Sequence, residues 1–402
     1  MKGFRRSDGR KGIRNVVAVA YLVECAAHVA REIVLPFRDC DVHLIGFPGC
    51  FPNAYAATMM ERLTTHPNVG AVLLVSLGCE GFDRKRLAEV VGASGRPVES
   101  LTIQEAGGTN PSVEHGRRWV GRALEMLEET PREDMAVEEL VVGAICGGSD
   151  ATSGLTGNPA VGRAFDLLVE RGAKAIFEET GELIGCEASM ASRAVDPALG
   201  QQLLGAVEKA ARYYRRMGHG SFAPGNADGG LTTIEEKSAG AYCKSGTAPI
   251  SGLLKPGDVP TRGGLYLLDV VPDGEPLFGF PNICDNAEIA ELIACGAHLI
   301  LFVTGRGSVV GSALSPVLKI CANPETFRCM KEDMDVDAGR ILEGKACLEE
   351  VGREIFQRVL ATAEGAQTQS EKLLHREFIL TYKQFEPVGA GPNRDIFCGK
   401  SG

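Results

Sequence analysis

The stretch Cys146-Gly-Gly-Ser-Asp-Ala-Thr-Ser-Gly-Leu-Thr-Gly-Asn-Pro-Ala-Val-Gly162 decides the fold class, because it joins a predicted strand to a predicted helix. The preceding residues 140–145 form an unbroken apolar run that is typical of a buried strand. Asn158 is suited to cap a helix, and Pro159 is suited to its first position. The glycines and hydroxyls between them build no core. Such a loop can bring backbone N–H groups to an anionic ligand, and a plain glycine-rich turn is the alternative.

Outward from this loop, strand and helix patterns alternate along most of the chain. The predicted strands are residues 16–23, 42–47, 71–77, 98–103, 140–145, 173–177, 265–270, 298–304 and 317–320. The predicted helices are residues 26–37, 54–65, 84–91, 112–129, 159–170, 197–217, 231–240 and 288–294. This alternation predicts an α/β fold of doubly wound parallel sheets, with two Rossmann-like halves and a helical C-terminal region.

Two stretches of unusual composition suggest where the chain divides. Residues 128–135 are highly charged and predict a linker, and the glycine-rich residues 218–230 predict a loop. We therefore expect three parts. They are a first α/β domain at residues 1–130, a second α/β domain with most site loops at residues 131–345, and a helical C-terminal extension at residues 346–402.

Composition argues against several classes of function. The chain has 402 residues, a formal net charge of −10 and a pI near 5.4, which argues against a nucleic-acid partner. No run approaches the ~20 apolar residues that cross a bilayer, so no membrane partner is expected. The polar start differs from a signal peptide, and the thirteen cysteines are scattered. We expect a cytoplasmic protein with free thiols that binds a small molecule.

Reactive or charged side chains directly follow several of the predicted strands. They are Cys25, Cys79, Glu80, Cys146, Glu178, Glu179, Thr304 and Arg306. Ligands of open parallel sheets bind at the carboxyl ends of the strands. We therefore expect these side chains to line one active-site rim.

Cys50, Cys79 and Cys146 each lie in a glycine-containing turn and are predicted metal ligands. Three thiolates could hold iron or zinc, or three irons of an iron–sulfur cluster with one open corner. The alternative is that they are small buried apolar residues, since the chain has no CxxC pair. Residues 305–311 lack the strand–loop–helix context of a dinucleotide site, so no nucleotide cofactor is expected.

Acid–base candidates occur in three places along the chain. Glu235, Glu236 and Lys237 lie in a short predicted helix, where a charged triplet is usually an exposed face. Burial of Lys237 beside the rim would lower its pKa and make it a base. His115 is an acid–base candidate or a group on a helix surface. Arg14 belongs to a basic N-terminal segment that could bind a carboxylate or form a solvated arm.

Taken together, these motifs resemble the altronate and galactarate dehydratase family. The matching residues are 3–15, 77–80, 146–150, 158–162, 225–226, 229–238, 304–308 and 332–335. The resemblance implies a lyase that eliminates a β-substituent from an α-hydroxy carboxylate, such as a sugar acid, to give a 2-keto acid. Many members carry a small N-terminal domain ahead of the basic segment. The resemblance therefore implies an oligomer with a separate small subunit.

One departure from the family pattern changes the expected substrate. Residues 46–50 are GFPGC, where sugar-acid dehydratases tend to have a run similar to HGTGC. The alternative is the large subunit of a (2R)-sulfolactate sulfo-lyase, which releases sulfite and pyruvate. A non-catalytic anion-binding subunit is the alternative from another class, and a nicotinamide-dependent dehydrogenase is the third.

Elimination of this type assigns a role to each predicted site residue. A divalent metal, iron(II) or manganese, would bind the substrate carboxylate and α-hydroxyl. Lys237, Glu235 or Glu236 would remove the α-proton. Asp150 or His115 would protonate a hydroxide leaving group, whereas sulfite leaves without protonation. The expected substrate contacts are Ser149, Gly147, Asn158, Arg306, Thr304 and Arg14.

Overall fold

The computed structural model describes residues 1–218, 223–273 and 284–383, and most of these belong to strands and helices. The strands are β1 (Lys2–Arg5), β2 (Lys11–Gly12), β3 (Val16–Tyr21), β4 (Val42–Gly46), β5 (Val69–Ser76), β6 (Val98–Thr102), β7 (Arg132–Asp134), β8 (Val141–Cys146), β9 (Lys174–Phe177), β10 (Ile250–Leu254), β11 (Gly264–Leu268), β12 (Leu299–Thr304), β13 (Val317–Cys321) and β14 (Val336–Asp337). The α-helices are α1 (Glu24–Val34), α2 (Ala54–Thr64), α3 (Arg84–Ala93), α4 (Ile103–Ala106), α5 (Thr109–Glu128), α6 (Gly157–Val169), α7 (Glu187–Ser192), α8 (Pro197–Arg216), α9 (Pro224–Asp228), α10 (Ile234–Tyr242), α11 (Asp285–Ala294), α12 (Pro324–Cys329), α13 (Leu348–Ala363) and α14 (Gln369–Lys372).

The first sheet is parallel and has the strand order β4-β3-β5-β6. Successive side chains of β3 point to opposite faces, so Val17 and Val19 pack with α1 and α5. Ala18 and Ala20 pack with α2 and α3 on the other face. Every β3 residue from Val16 to Ala20 is therefore apolar and buried, as expected for a strand covered on both sides.

The second sheet is also parallel and has the order β10-β11-β9-β8-β12-β13-β14. Its face toward α6, α8 and α13 forms one core, and α11 packs on the opposite face. The strands β9, β8 and β12 lie side by side at its centre. The predicted α/β fold with parallel sheets is confirmed.

A buried polar contact joins the two sheets through the helices between them. The hydroxyl of Tyr55 in α2 donates to Glu291 of α11 at 2.7 Å. Glu291 also pairs with Lys383 at 2.8 Å, and neither side chain has exposed surface. Because an unpaired charge would be costly here, this contact fixes how the first sheet sits against the second.

The charged stretch at 128–135, predicted as a linker, includes the short strand β7. This strand pairs antiparallel with β1, and β1 pairs antiparallel with β2. The basic N-terminal segment is therefore part of a third, small sheet. A strand as short and charged as β7 gives no hydrophobic alternation, so the sequence does not reveal it. The strand β10 was also not predicted.

The predicted helical C-terminal region contains α13 and α14 among the described residues. The helix α13 packs against α6 of the second sheet. Residues 384–402 of that predicted region, and residues 219–222 of the predicted loop, lie outside the described residues. None of the described helices combines the length and apolar character that crossing a membrane requires.

Candidate functional site

Three neighbouring strands of the second sheet place polar groups at their carboxyl ends. Cys146 ends β8, Glu178 and Glu179 follow β9, and Thr304 ends β12. The expected rim is therefore present in the second sheet. Cys25 and Cys79 follow β3 and β5 of the first sheet, so the eight residues do not share one sheet edge.

The centre of the site is a buried group formed by Cys146, Glu179 and Glu182. The sulfur of Cys146 lies 3.0 Å from an oxygen of Glu179 and 3.9 Å from an oxygen of Glu182. One donor atom from each side chain lies within 4.8 Å of the other two. In the described parts of the chain, this is the one group of three potential metal ligands that is so closely spaced. We call it the Cys146 triad.

Two buried lysines face the Cys146 triad. The ammonium of Lys244 forms an ion pair with Glu179 and lies 3.3 Å from the sulfur of Cys146. The ammonium of Lys237 forms an ion pair with Glu182. Lys244 is fully buried and Lys237 is 7% exposed. Because a buried charge is stable only when it is compensated, the lysines and the carboxylates depend on one another.

The sequence predicts that burial would lower the pKa of Lys237, but the surroundings of Lys237 raise this pKa. Burial lowers the pKa of Lys237, but the charge and hydrogen bond of Glu182 together with the nearby Cys146 and Asp285 outweigh burial, and the net pKa lies above the ordinary value. The side-chain oxygen of Asn226 can accept hydrogen bonds from both the N–H of Ala223 and the ammonium of Lys237, and its distance to Lys237 is then 3.3 Å. Lys237 is therefore held as a cation while Glu182 is ionised.

Glu179 adopts a backbone conformation that is rare for a residue with a side chain. Its φ of 85° lies in the left-handed region. In this conformation, its carboxylate accepts a hydrogen bond from the backbone N–H of Cys146 at 3.0 Å. Such conformations persist when surrounding contacts enforce them, and they are concentrated at functional sites.

The adjacent Glu178 is fully buried, and within the described residues neither of its carboxylate oxygens has a hydrogen-bond partner. Burial, together with the charge of nearby Glu288, raises the pKa of Glu178 well above its usual range. Glu178 is therefore expected to be protonated, because an isolated buried carboxylate would be very unfavourable.

The beginning of α11 adds two acidic groups that the sequence analysis missed. Burial and the charge of Glu182 raise the pKa of Asp285 to about 6. Burial raises the pKa of Glu288 to about 8. A β-carbon at position 147 would collide with the carboxylate of Asp285, so Gly147 makes room for it. The sequence signal that could have revealed them is the spacing of three residues between Asp285 and Glu288 in the otherwise apolar α11.

Asp150 organises the loop that follows Cys146. One carboxylate oxygen accepts hydrogen bonds from the N–H and hydroxyl of Thr152, at 2.9 and 2.6 Å, and from the N–H of Ser153 at 3.1 Å. The other oxygen accepts from Asn323 at 2.9 Å. Both oxygens therefore stabilise the loop, and a role for Asp150 in acid catalysis stays a prediction.

A cavity of about 310 Å³ lies between this loop and α10. Its walls include the predicted residues Ser149, Asn158 and Lys237, together with the apolar Leu155 and Leu231. The side-chain oxygen of Asn158 is buried and has no partner within the described residues, so a ligand donor could bind it. Asp150 and Glu236 also line the cavity, so the structure brings five predicted site residues to it.

Thr304 and Arg306 lie at the edge of the same region. The hydroxyl of Thr304 accepts a hydrogen bond from the N–H of Gly307 at 3.0 Å. The guanidinium of Arg306 donates to the carbonyl of Gly225, and the Arg306 side chain is 43% exposed. Arg306 is therefore accessible to an anionic ligand.

The remaining acid–base candidates lie outside the Cys146 triad. Glu235 and Glu236 are exposed, and Thr233 caps α10 by accepting a hydrogen bond from the N–H of Glu236 at 3.2 Å. His115 lies on α5 beside the first sheet, 2.7 Å from Glu99.

The other predicted ligands are also separate from the Cys146 triad. Arg14 pairs with Glu371 at 2.6 Å, so the carboxylate it binds belongs to the protein itself. Cys50 and Cys79 are exposed on loops of the first sheet. The potential ligands found close to Cys146 are Glu179 and Glu182. A metal-binding role for Cys50 and Cys79 stays a prediction.

Comparison with known proteins shows similarity along nearly the whole chain. Residues 3–128 match the family model described as D-galactarate dehydratase/altronate hydrolase, second domain. Residues 137–385 match the model described as D-galactarate/altronate dehydratase, C-terminal. The chain is 33% identical to (2R)-sulfolactate sulfo-lyase subunit beta of Chromohalobacter salexigens, with 94% of this chain and 96% of the relative covered. It is 33% identical to galactarate dehydratase (L-threo-forming) of Escherichia coli, with 90% and 72% covered. Altronate dehydratase of the same organism is 29% identical, with 94% and 76% covered.

Proposed function

Because this chain belongs to the galactarate/altronate dehydratase family, we propose that it is a lyase that converts an α-hydroxy carboxylate to a 2-keto acid by removing a β-substituent. A sugar acid that loses water is the leading substrate class. The observation that carries this proposal is the buried Cys146 triad with its two lysines, beside a cavity at the carboxyl edge of the second sheet.

The chemistry of elimination explains why positive charge is needed in this place. A proton next to a carboxylate is weakly acidic, so the site must stabilise the negative charge that develops when the proton leaves. Lys237 and Lys244 supply two buried ammonium groups. Lys237 both lines the cavity and contacts the Cys146 triad, so it connects the substrate region with the charged centre.

A divalent metal, iron(II) or manganese, is proposed to bind the Cys146 triad. The residues fit such an ion, because one thiol and two carboxylates converge within 4.8 Å and this mixed donor set suits a transition metal. A bound metal would act as a Lewis acid toward the substrate oxygens. Lys237 and Lys244 now pair with the same carboxylates and would have to release the oxygens that bind the ion.

Proton transfer is assigned to Lys237 and Asp285. Lys237 can accept the α-proton once the charge of Glu182 is neutralised, since that charge is the largest of the contributions that raise the Lys237 pKa. Asp285 is proposed as the acid for a hydroxide leaving group, because its pKa of about 6 leaves part of it protonated near neutrality. Its contact with Gly147 supports this assignment over Asp150 and His115.

The substrate carboxylate is proposed to bind near the loop after Cys146. Ser149 and Asn158 line the cavity, and the exposed Arg306 donates its backbone N–H to the carbonyl of Gly148 in this loop at 2.8 Å. Gly147 and Thr304, the other predicted substrate contacts in this region, lie at the same carboxyl edge of the second sheet. Arg14 forms an ion pair with Glu371 and is proposed to hold the N-terminal segment against α14.

The comparisons also favour a second candidate function. The chain is 33% identical to the sulfo-lyase beta subunit over 94% of its own length, and the name of that relative implies a further subunit. The alternative is therefore a (2R)-sulfolactate sulfo-lyase subunit that releases sulfite and acts with a separate small subunit in a cytoplasmic oligomer. A non-catalytic anion-binding subunit is the alternative of another class.

One experiment separates these functions. The chain, alone and with a candidate small subunit, is supplied anaerobically with iron(II) and incubated with aldonates, aldarates and sulfolactate. Keto acid without sulfite identifies a dehydratase, and sulfite together with pyruvate identifies a sulfo-lyase. Absence of keto acid from every substrate would overturn both lyase proposals. Cys146→Ser is included to link any turnover to the Cys146 triad.

A further inference from the structure

Lys244 lies in a short turn, and the backbone of that turn determines where its ammonium lies. A single 3₁₀ turn, Cys243–Ser245, follows α10 and precedes β10. The ammonium of Lys244 lies 3.3 Å from the sulfur of Cys146 and pairs with Glu179. Because Lys244 is fully buried, a shift of the turn would separate its charge from both partners without offering water instead. We call residues 242–248 the Lys244 turn.

Arg193, which follows α7, binds the Lys244 turn through both terminal nitrogens of its guanidinium. One nitrogen donates to the hydroxyls of Tyr242 and Ser245, both at 2.9 Å. The other nitrogen donates to the carbonyls of Ser245 and Ala248, at 3.2 and 2.7 Å. The guanidinium also lies 5.2 Å from the centre of the Tyr242 ring. A planar group with fixed donors therefore holds the residues on both sides of Lys244.

Asp166 of α6 binds the same turn through its carboxylate. One oxygen accepts hydrogen bonds from the N–H groups of Thr247 and Ala248, at 2.8 and 3.1 Å. The other oxygen accepts from the hydroxyl of Thr247 at 2.9 Å. Hydrogen bonds to a charged group are stronger than those between neutral groups, so Asp166 firmly fixes the end of the Lys244 turn.

Two glycines let the Lys244 turn lie directly against α6. A β-carbon on Gly162 would collide with the carbonyl oxygen of Cys243. Gly246 has a φ of 63°, in the region that favours glycine, and a β-carbon there would meet the carboxylate of Asp166. Close backbone contact with α6 therefore adds to the two charged side chains in fixing the turn.

Arg193 and Asp166 lie outside the candidate site. Within the described residues, the hydrogen bonds of their side chains do not reach the Cys146 triad. Neither residue lines the cavity. Their connection to Cys146 therefore passes through the Lys244 turn and the ammonium that it carries.

We propose that Arg193 and Asp166 are positioning residues that hold the ammonium of Lys244 against Cys146 and Glu179. This inference rests on the proposed lyase function, in which Lys244 stabilises the negative charge that develops when the α-proton leaves. Such stabilisation depends on charged groups that are fixed in place before the reaction begins. A misplacement of about 1 Å can cost about 10²-fold in rate.

Crystal structures of the wild-type, Arg193→Lys and Asp166→Ala proteins test the positioning independently of activity. Lysine keeps the positive charge of Arg193 but cannot donate from two fixed nitrogens. We expect Nζ of Lys244 to move out of hydrogen-bond distance from the sulfur of Cys146 in both variants. An unchanged distance between these two atoms would overturn the proposal.

Keto-acid formation provides the second readout. We expect Arg193→Lys to lower kcat by about 10²-fold. Arg171→Lys is the matched control, because Arg171 also lies over an aromatic ring, that of Phe356, and donates to a backbone carbonyl. It has no hydrogen bond to the Lys244 turn in the described structure, and its variant should keep wild-type turnover. An unchanged kcat in Arg193→Lys would overturn the proposal.

A double-mutant cycle separates positioning from a general structural role. In a Lys244→Met background, Arg193→Lys has no ammonium to displace, so it should change kcat by less than about threefold. A larger loss in that background would overturn the proposal. Absence of turnover by the wild type with every substrate would instead overturn the lyase function, and the crystal structures would still decide whether Arg193 and Asp166 position Lys244.

Discussion

Lys237 and Lys244 have similar surroundings but different access to ligands. Both are buried and paired with a carboxylate of the Cys146 triad. Only Lys237 also lines the cavity beside the glycine-rich loop. Each substitution leaves a buried carboxylate without its cation, Glu182 for Lys237 and Glu179 for Lys244. Only the substitution of Lys237 also removes a group from the cavity wall.

Replacement of Lys237 by Met is expected to lower kcat by about 10²–10⁴-fold, the usual contribution of a general base. The apolar Met keeps most of the side-chain volume and removes the proton acceptor. Keto-acid formation in steady state measures the effect, with the substrate found in the assay described above. Lys345→Met, at a side chain that is 67% exposed, should keep wild-type turnover.

Glu179 gives a prediction about stability. Glu179→Gln removes the charge that compensates the fully buried Lys244, so the free energy of unfolding should fall by about 3–5 kcal/mol. Urea denaturation measures the change. Glu208→Gln, at a side chain that is 69% exposed, should change it by less than about 1 kcal/mol. Adding Lys244→Met to Glu179→Gln should recover part of the loss, and a further loss would contradict the argument.

At the scale of elements, the position of α10 depends on a contact between two glycines. A β-carbon on Gly240 would lie 2.9 Å from the Cα of Gly154. That neighbour is a backbone atom and cannot rotate away. The helix that carries Lys237 is therefore held directly against the loop that forms the opposite wall of the cavity.

We expect Gly240→Ala to destabilise the protein by about 1–3 kcal/mol, because the added methyl must push α10 from the loop. The displacement should also raise KM and lower kcat, since it moves Lys237. Gly205→Ala in α8 is the control, because no atom lies within 4 Å of the added carbon. That variant should gain about 0.5–1 kcal/mol, the usual difference between Ala and Gly in a helix. Equal unfolding midpoints for both variants would argue against the contact.

Strands that form long apolar runs could be predicted from the sequence, whereas strands that depend only on hydrogen bonding to a neighbouring strand could not. The strands β3, β5, β8 and β12 are buried apolar runs that the sequence marks plainly. The strand β7 is short and charged, and it exists because β1 provides its partner. The left-handed conformation of Glu179 depends on the contacts of its side chain, which no local pattern reveals.

At the scale of the whole molecule, buried histidines make stability depend on pH. His298 lies where the two sheets meet, and its Nδ1 accepts a hydrogen bond from the N–H of Val141 at 3.1 Å. Its Nε2 therefore carries the proton and donates to the carbonyl of Lys11 at 2.9 Å. Burial lowers the pKa of His298 from 6.5 to about 4. The ring is thus neutral in the folded protein.

The contribution of His298 to the free energy of unfolding is therefore expected to fall as the pH drops from 6.5 to about 4. In this range the unfolded chain binds a proton at residue 298 that the folded chain does not bind, which favours unfolding. Urea denaturation at several pH values should give a less positive slope of the free energy of unfolding against pH for His298→Gln than for wild type. The exposed His28→Gln is the control and should keep the wild-type slope. An unchanged slope for His298→Gln would contradict this assignment.

Part of the site could be predicted from the sequence, because some of its residues lie at the carboxyl end of a strand, where parallel sheets bind ligands. Cys146 lies at a strand end, and Ser149 and Asn158 lie in the loop that follows it. Lys244 could not be predicted in this way, because its contact with Cys146 arises only when α10 folds over the second sheet. The same dependence on tertiary structure explains why the closeness of Glu182 to Cys146 was not predicted.

The strand order of the second sheet has a consequence for protein synthesis. The strand β12 fills the place between β8 and β13, yet it is translated long after β8. The strands β8, β9 and β11 can pair earlier, and one edge of the apolar β8 then stays open on the ribosome. Open apolar edges promote aggregation. We therefore expect the nascent chain to need chaperone protection until Thr304 has left the exit tunnel.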